Sequence, residues 1–166
     1  MLFGLFKKKT NPNEVEEPVS VGSTGISYKP QLIENLKADH VNLLDIYNDI
    51  KLASEDKNFQ EVEDYLIIFR NELEDHLLKE NINLYIYLSH LLKDDSSNSG
   101  VIASFRKEMD AIASIVLKFL AKYESIETDV GLQEGFAKEF GVIGEVLGTR
   151  IQREESTLYT FYTKPV

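Results

Sequence analysis

Cysteine is absent from the 166 residues, which excludes disulfides, zinc–thiolate sites, iron–sulfur clusters and thiol nucleophiles. Positive charge is also scarce. Eighteen Lys and Arg stand against 28 Asp and Glu, a net charge of −10, which argues against nucleic acid or anionic lipid as the main partner of the folded part. No stretch approaches the roughly 18 consecutive apolar residues of a bilayer-spanning helix, so stable membrane insertion is not expected. The four prolines and nine glycines fall mostly outside the periodic apolar segments, and strand-like alternation occurs nowhere. The glycines near the end of the chain have neither the preceding strand nor the lysine of a phosphate-binding loop. None of the three histidines stands beside a serine or threonine in a recognisable nucleophile–base context.

What remains is a chain of ordinary globular composition, 43% hydrophobic and 28% charged, long enough for one domain with a proper core. Residues 1–28 lack periodicity, are rich in Lys, Asn, Glu, Ser, Gly and Pro, and read as a flexible leader. Its start, Met1 to Phe6 followed by Lys7-Lys8-Lys9, places the apolar part before the charge. A secretory signal has the reverse order, so cytoplasmic residence is expected; a weak, reversible membrane touch through Phe3, Phe6 and the lysines is the alternative. Over residues 29–162, four segments carry apolar residues at helical spacing. The first has Ile33, Leu36, Leu43, Tyr47 and Ile50, opened by Pro30. Ser54 to Asn58 reads as a turn. The second has Val62, Tyr65, Leu66, Phe69, Leu73, Leu84 and Tyr87, and ends in the loop-like composition of Lys93 to Gly100. The third has Ile102, Phe105, Met109, Ile112, Val116, Phe119 and Tyr123. The fourth, after a break near Glu124 to Gly131, has Leu132, Phe136, Phe140, Ile143, Leu147 and Leu158. Four such helices with short connections predict an all-α, up-down-up-down antiparallel four-helix bundle.

Five polar residues interrupt the apolar stripes: His40, His76, Glu80, Arg150 and Glu154. His76 and Glu80 are four apart, one helical turn, and face the same way. Histidine nitrogen and carboxylate on one core-facing stripe are the donors of a helix-borne iron site. A lone histidine on an apolar face is more often a hydrogen-bonded core residue, but an interior glutamate has to find a cation or a proton. His90 lies 14 residues beyond His76, about 21 Å along the helix, and reads as a helix-end residue outside any such site.

The segments Leu36 to His40, Phe69 to Tyr85 and Ile151 to Tyr159 resemble the bacterial hemerythrin-like, HHE cation-binding family over about residues 30–162. The resemblance implies a four-helix bundle holding a non-haem di-iron centre, in proteins that bind oxygen, sense oxygen, nitric oxide or iron, or act on peroxides. It places metal ligands at His40, His76, Glu80 and Glu154. Two positions depart from the pattern: the family's third-helix histidine falls at or beside Met109, and its fourth-helix histidine at Arg150. Thioether is a soft ligand, and guanidinium is permanently charged. The implied site is therefore degenerate, with three arrangements open. In the first it is metal-free, Arg150 pairing with one or both glutamates and Met109 filling volume. In the second it holds one iron or other divalent ion, and in the third an intact di-iron pair.

Two further features invite a reading. Gly141, Gly144 and Gly148 line one flank of the fourth helix, where each costs about 1 kcal/mol against alanine. Close helix approach, within the bundle or across a homodimer, explains them, as does a ligand entry channel. The run Leu84-Tyr-Ile-Tyr-Leu88 exceeds one core stripe and suits either a protein-partner surface or a helix wrapped by its neighbours. The chain is thus expected to be a cation-binding or regulatory protein, more readily non-enzymatic than catalytic. An iron-dependent oxidase or peroxidase and a partner-binding adaptor are the alternatives.

Overall fold

The computed structural model describes residues 25–166; the expected leader up to residue 24, including Phe3, Phe6 and the lysine run, lies outside the described residues. Helix α1 spans Leu32–Glu55 and α2 spans Phe59–Lys79. A π-helical segment, Glu80–Tyr85, leads from α2 without a break into α3, Ile86–Leu91. Helix α4 spans Ser96–Lys122, α5 spans Val130–Ser156, and a 3-10 turn, Leu158–Phe161, follows. The α2–π–α3 rod is the second helix of an antiparallel four-helix bundle, in which α1 and α4 each lie against the rod and against α5. No strand forms among the described residues, and none of their helices is long and apolar enough to cross a membrane.

Side-chain caps fix three of the helix starts. Asn58 accepts from the Glu61 amide at 3.3 Å, Asp95 from Asn98 at 3.0 Å and Asp129 from Gly131 at 3.0 Å, each satisfying an amide the first turn leaves without a partner. The Asp95 cap explains one departure from expectation. The Lys93 to Gly100 segment has loop composition, yet Ser96 to Gly100 already belongs to α4. Ser, Asn and Asp are favoured both in loops and around helix starts, for the same hydrogen-bonding reason.

The apolar stripes bury as their periodicity requires, in two separate blocks. One gathers Leu43, Ile50, Val62, Leu66, Phe69, Leu73, Val116, Phe119, Phe136, Phe140 and their neighbours. The other gathers Leu32, Leu36, Leu84, Tyr85, Tyr87, Leu88, Ile102, Phe105, Leu158, Tyr159 and Tyr162. The Leu84 to Leu88 run belongs to this second block, so it is a wrapped helix; only Ile86 is half-buried. The last residues of the expected leader also join it. Tyr28 stacks on Tyr162 with ring centroids 5.0 Å apart, and the Lys29 amide donates to the Tyr162 hydroxyl at 2.8 Å. Packing therefore begins ahead of Pro30. Between the two blocks lies a layer of different chemistry, comprising the five buried polar residues, His40, His76, Glu80, Arg150 and Glu154.

Candidate metal centre

Each polar residue sits where its helix passes from one apolar block to the other. On α1, His40 follows Leu36 and precedes Leu43; on the rod, His76 and Glu80 separate Leu73 from Leu84; on α5, Arg150 and Glu154 separate Leu147 from Leu158. Helix α4 crosses the same level between Phe105 and Met109 and places no buried polar residue in it.

The two imidazoles meet at the centre. Their Nε2 atoms are 3.2 Å apart. His40 Nε2 is 3.1 Å from Glu154 Oε2, and His76 Nε2 is 3.7 Å from Glu80 Oε1. One donor atom from each of His40, His76, Glu80 and Glu154 lies within 4.8 Å of all the others. The outward ring nitrogens are held by carboxylates from neighbouring helices. His40 Nδ1 lies 2.8 Å from Glu155 Oε1, and His76 Nδ1 lies 3.4 Å from Asp39 Oδ2. A carboxylate at Nδ1 keeps the proton there and turns the Nε2 lone pair inward, as in carboxylate–histidine–metal pairs. Asp39 is itself anchored by Lys79 at 3.1 and 3.2 Å.

Arg150 occupies the other side of the layer. Its Nε donates to Glu154 Oε1 at 2.5 Å and its Nη2 to the Tyr85 hydroxyl at 2.8 Å. Nη1 makes no hydrogen bond among the described residues and faces Glu108 at 3.6 Å. The guanidinium carbon lies 4.9 Å from the centre of the Phe105 ring, a cation–π distance. Pairing with both glutamates, one of the expected options, is not what forms: Arg150 bonds Glu154, whereas Glu80 Oε1 accepts from the Tyr159 hydroxyl at 2.8 Å. Glu80 Oε2 has no hydrogen-bond partner among the described residues.

This environment splits the protonation of like groups. Burial, reinforced by the Glu154 charge, raises the Glu80 carboxyl to about 8. Burial works against the charge of Glu154 too, but its bonds to His40 and Arg150 outweigh burial and hold it below the usual range. Burial likewise opposes a charge on His40, yet Glu154 and Glu155 overcome it and the imidazole is raised. His76 is lowered, by burial and by the neighbouring His40. Burial, with the nearby Glu80 and Glu154 charges, pushes the Tyr159 hydroxyl far up.

The donors fit a small cation. Metal–ligand bonds of about 2.0–2.2 Å put neighbouring donors of one ion roughly 3.0–3.6 Å apart; the 3.1 and 3.2 Å separations fall in that range, and the 3.7 Å one lies just beyond it. Two imidazole Nε2 atoms converging on each other and on Glu154, and a buried carboxylate oxygen lacking a partner among the described residues, call for a cation or a proton between them.

The matching family model is that of the hemerythrin HHE cation binding domain, over residues 31–162. The chain belongs to the hemerythrin HHE family. No curated protein and no solved structure matches it significantly.

In this hemerythrin domain an apolar cavity of about 70 Å³ opens beside the centre. Met109, Leu73, Leu147 and Tyr47 line it, and it reaches His40, His76 and Arg150. That is room for a few waters or a diatomic molecule. Gly144 shapes one wall. A Cβ there would lie 2.1 Å from the Tyr47 hydroxyl, whereas Gly141 and Gly148 meet nothing within 4 Å. Close approach thus accounts for Gly144, where Tyr47 donates to the Phe140 carbonyl at 3.1 Å. His90 is exposed in the last turn of α3.

Periodicity did not announce four participants. Asp39 and Glu155 are chain neighbours of His40 and Glu154, but a residue next in sequence points about 100° away on a helix, so each serves a histidine on another helix. Tyr85 stood in the apolar run Leu84 to Leu88, and Tyr159 only in a segment that carries the resemblance. Their hydroxyls could have marked them, since a buried Tyr hydroxyl needs a partner.

Proposed function

We propose that this hemerythrin domain holds one divalent cation, iron foremost, between His40, His76, Glu80 and Glu154, and that it works as a cation-dependent binding or regulatory protein. The observation carrying the reading is the pair of imidazoles, each tied at Nδ1 by a carboxylate and converging at Nε2 3.2 Å apart beside two buried glutamates. Arg150 supports a single ion. Its guanidinium already neutralises Glu154 and would repel a second cation on that side of the layer.

The chain's own residues set the chemistry. Glu155 and Asp39 hold the histidines in the ligating tautomer, Glu80 exchanges its proton for the cation, and the apolar cavity limits access to small neutral molecules. A bound ferrous ion would supply affinity for a diatomic ligand such as oxygen or nitric oxide. Anaerobic titration with ferrous iron, followed by metal analysis after desalting, tests the proposal. One equivalent is expected, absent in His40→Ala/His76→Ala. Two equivalents would restore the di-iron arrangement, and none would leave a metal-free centre balanced by Arg150 and a protonated His40.

A further inference from the structure

Resting on the one-cation reading, we propose that Tyr159 is a fifth ligand and binds the ion as a phenolate when the iron is ferric. Its hydroxyl is buried inside the donor cluster, 2.8 Å from Glu80 Oε1 and 3.2 Å from His40 Nε2. For bonds of about 2.1 Å, donors at right angles about one ion are roughly 3.0 Å apart, so the Tyr159 oxygen stands at ligand spacing from two members of the set. The ring is also held. It stacks on His40 at 10° with centroids 5.7 Å apart, and the residue is 4% exposed.

Local structure explains how a residue five positions after Glu154 reaches the same centre. On a continuous α-helix it would point about 140° away. Instead α5 stops at Ser156, and the 3-10 turn over Leu158–Phe161 redirects the chain.

Charge balance links ligation to oxidation state. With Glu80 and Glu154 ionised beside Arg150, a ferrous ion leaves the layer a single positive charge, and Tyr159 then keeps its proton and donates to Glu80. A ferric ion carries one more charge, and a third anionic oxygen cancels it where uncompensated charge is costly. On that change the phenol O–H bond breaks, an iron–oxygen bond forms and the proton is released to solvent.

The test loads the full chain anaerobically with ferrous iron and oxidises it with ferricyanide, which takes one electron from each iron. The expected product holds one ferric ion with a visible phenolate-to-iron charge-transfer band and tyrosinate modes in its resonance Raman spectrum. The modes should shift with ring-deuterated tyrosine, a readout that needs no variant. Tyr159→Phe should keep the iron and lose the band, whereas Tyr85→Phe should keep both. A colourless parent with one ferric ion bound, or a band surviving in Tyr159→Phe, overturns the ligand assignment and leaves the cation site standing. A parent that retains no iron overturns the site and this assignment together.

Discussion

Glu80 and Tyr85 stand five residues apart on one continuous rod, yet both reach the polar layer: Glu80 accepts from Tyr159, and Tyr85 accepts from Arg150. In an α-helix, residues i and i+5 diverge by about 140°. The π segment running from Glu80 to Tyr85 removes the divergence, because i→i+5 bonding adds one residue to the turn. The extra residue lets one helix supply an acceptor to each side of the centre.

Arg150→Ala should be severely destabilising. It strips Glu154 of its 2.5 Å partner inside a layer where both side chains are 2% exposed, and breaking a buried pair costs roughly 3–5 kcal/mol. Urea unfolding in chelator at neutral pH measures the loss. The deficit should narrow as pH falls, since Glu154 without its counter-ion protonates more readily. A variant as stable as the parent would show that the guanidinium contributes nothing to the layer.

Replacing Met109 and Arg150 together by histidine should raise iron uptake from one equivalent towards two. Both residues line the cavity beside the four donors, and imidazole suits iron where thioether and guanidinium do not. Metal analysis of the purified double variant decides; unchanged uptake would remove these positions from any ligand set.

The metal-free protein should lose stability through Glu80 as pH rises. The group's folded value, about 8, lies above its ordinary 4.5, so its contribution is fully present below about 4.5 and is lost as pH climbs through about 8. Glu80→Gln cannot titrate. In chelator it should gain on the parent between pH 5 and pH 8 in paired urea melts, and parallel curves would refute the raised value.

Alanine substitution should separate the three glycines of α5. Gly144→Ala collides with Tyr47 and should cost about 1–3 kcal/mol, the range for overpacking. Gly141→Ala and Gly148→Ala meet nothing and should each gain up to about 1 kcal/mol in helix propensity. Sedimentation of the latter two also examines the proposed homodimer. If that flank is an interface, the added methyls weaken self-association even as they stabilise the fold.

The bundle was legible because each stripe repeats at helical spacing over many turns. Val62, Leu66, Phe69 and Leu73 bury together, as do Ile102, Phe105, Met109, Ile112 and Val116. The five polar interruptions were equally plain, since a charged residue at a core position breaks a strong pattern. What stayed hidden depends on backbone irregularity or on contacts between helices. Nothing in Glu80 to Tyr85 announces a wider turn, and nothing in Leu158 to Phe161 shows the 3-10 turn that delivers Tyr159. The sequence left open whether Arg150 pairs with one or both glutamates; it bonds Glu154, and a tyrosine from beyond the end of α5 bonds Glu80.

The polar layer also divides the molecule mechanically. The hydrophobic drive that holds each block together is interrupted at His40, His76 and Glu154, so in chelator the two ends are joined chiefly by helix backbone and a few charged contacts. Amides near Leu84 to Leu88 and those near Phe136 to Phe140 should then exchange with solvent as two separate populations, opening at different free energies. A cation bound to α1, the rod and α5 at once would act as a rivet, merging the two populations into one and slowing both.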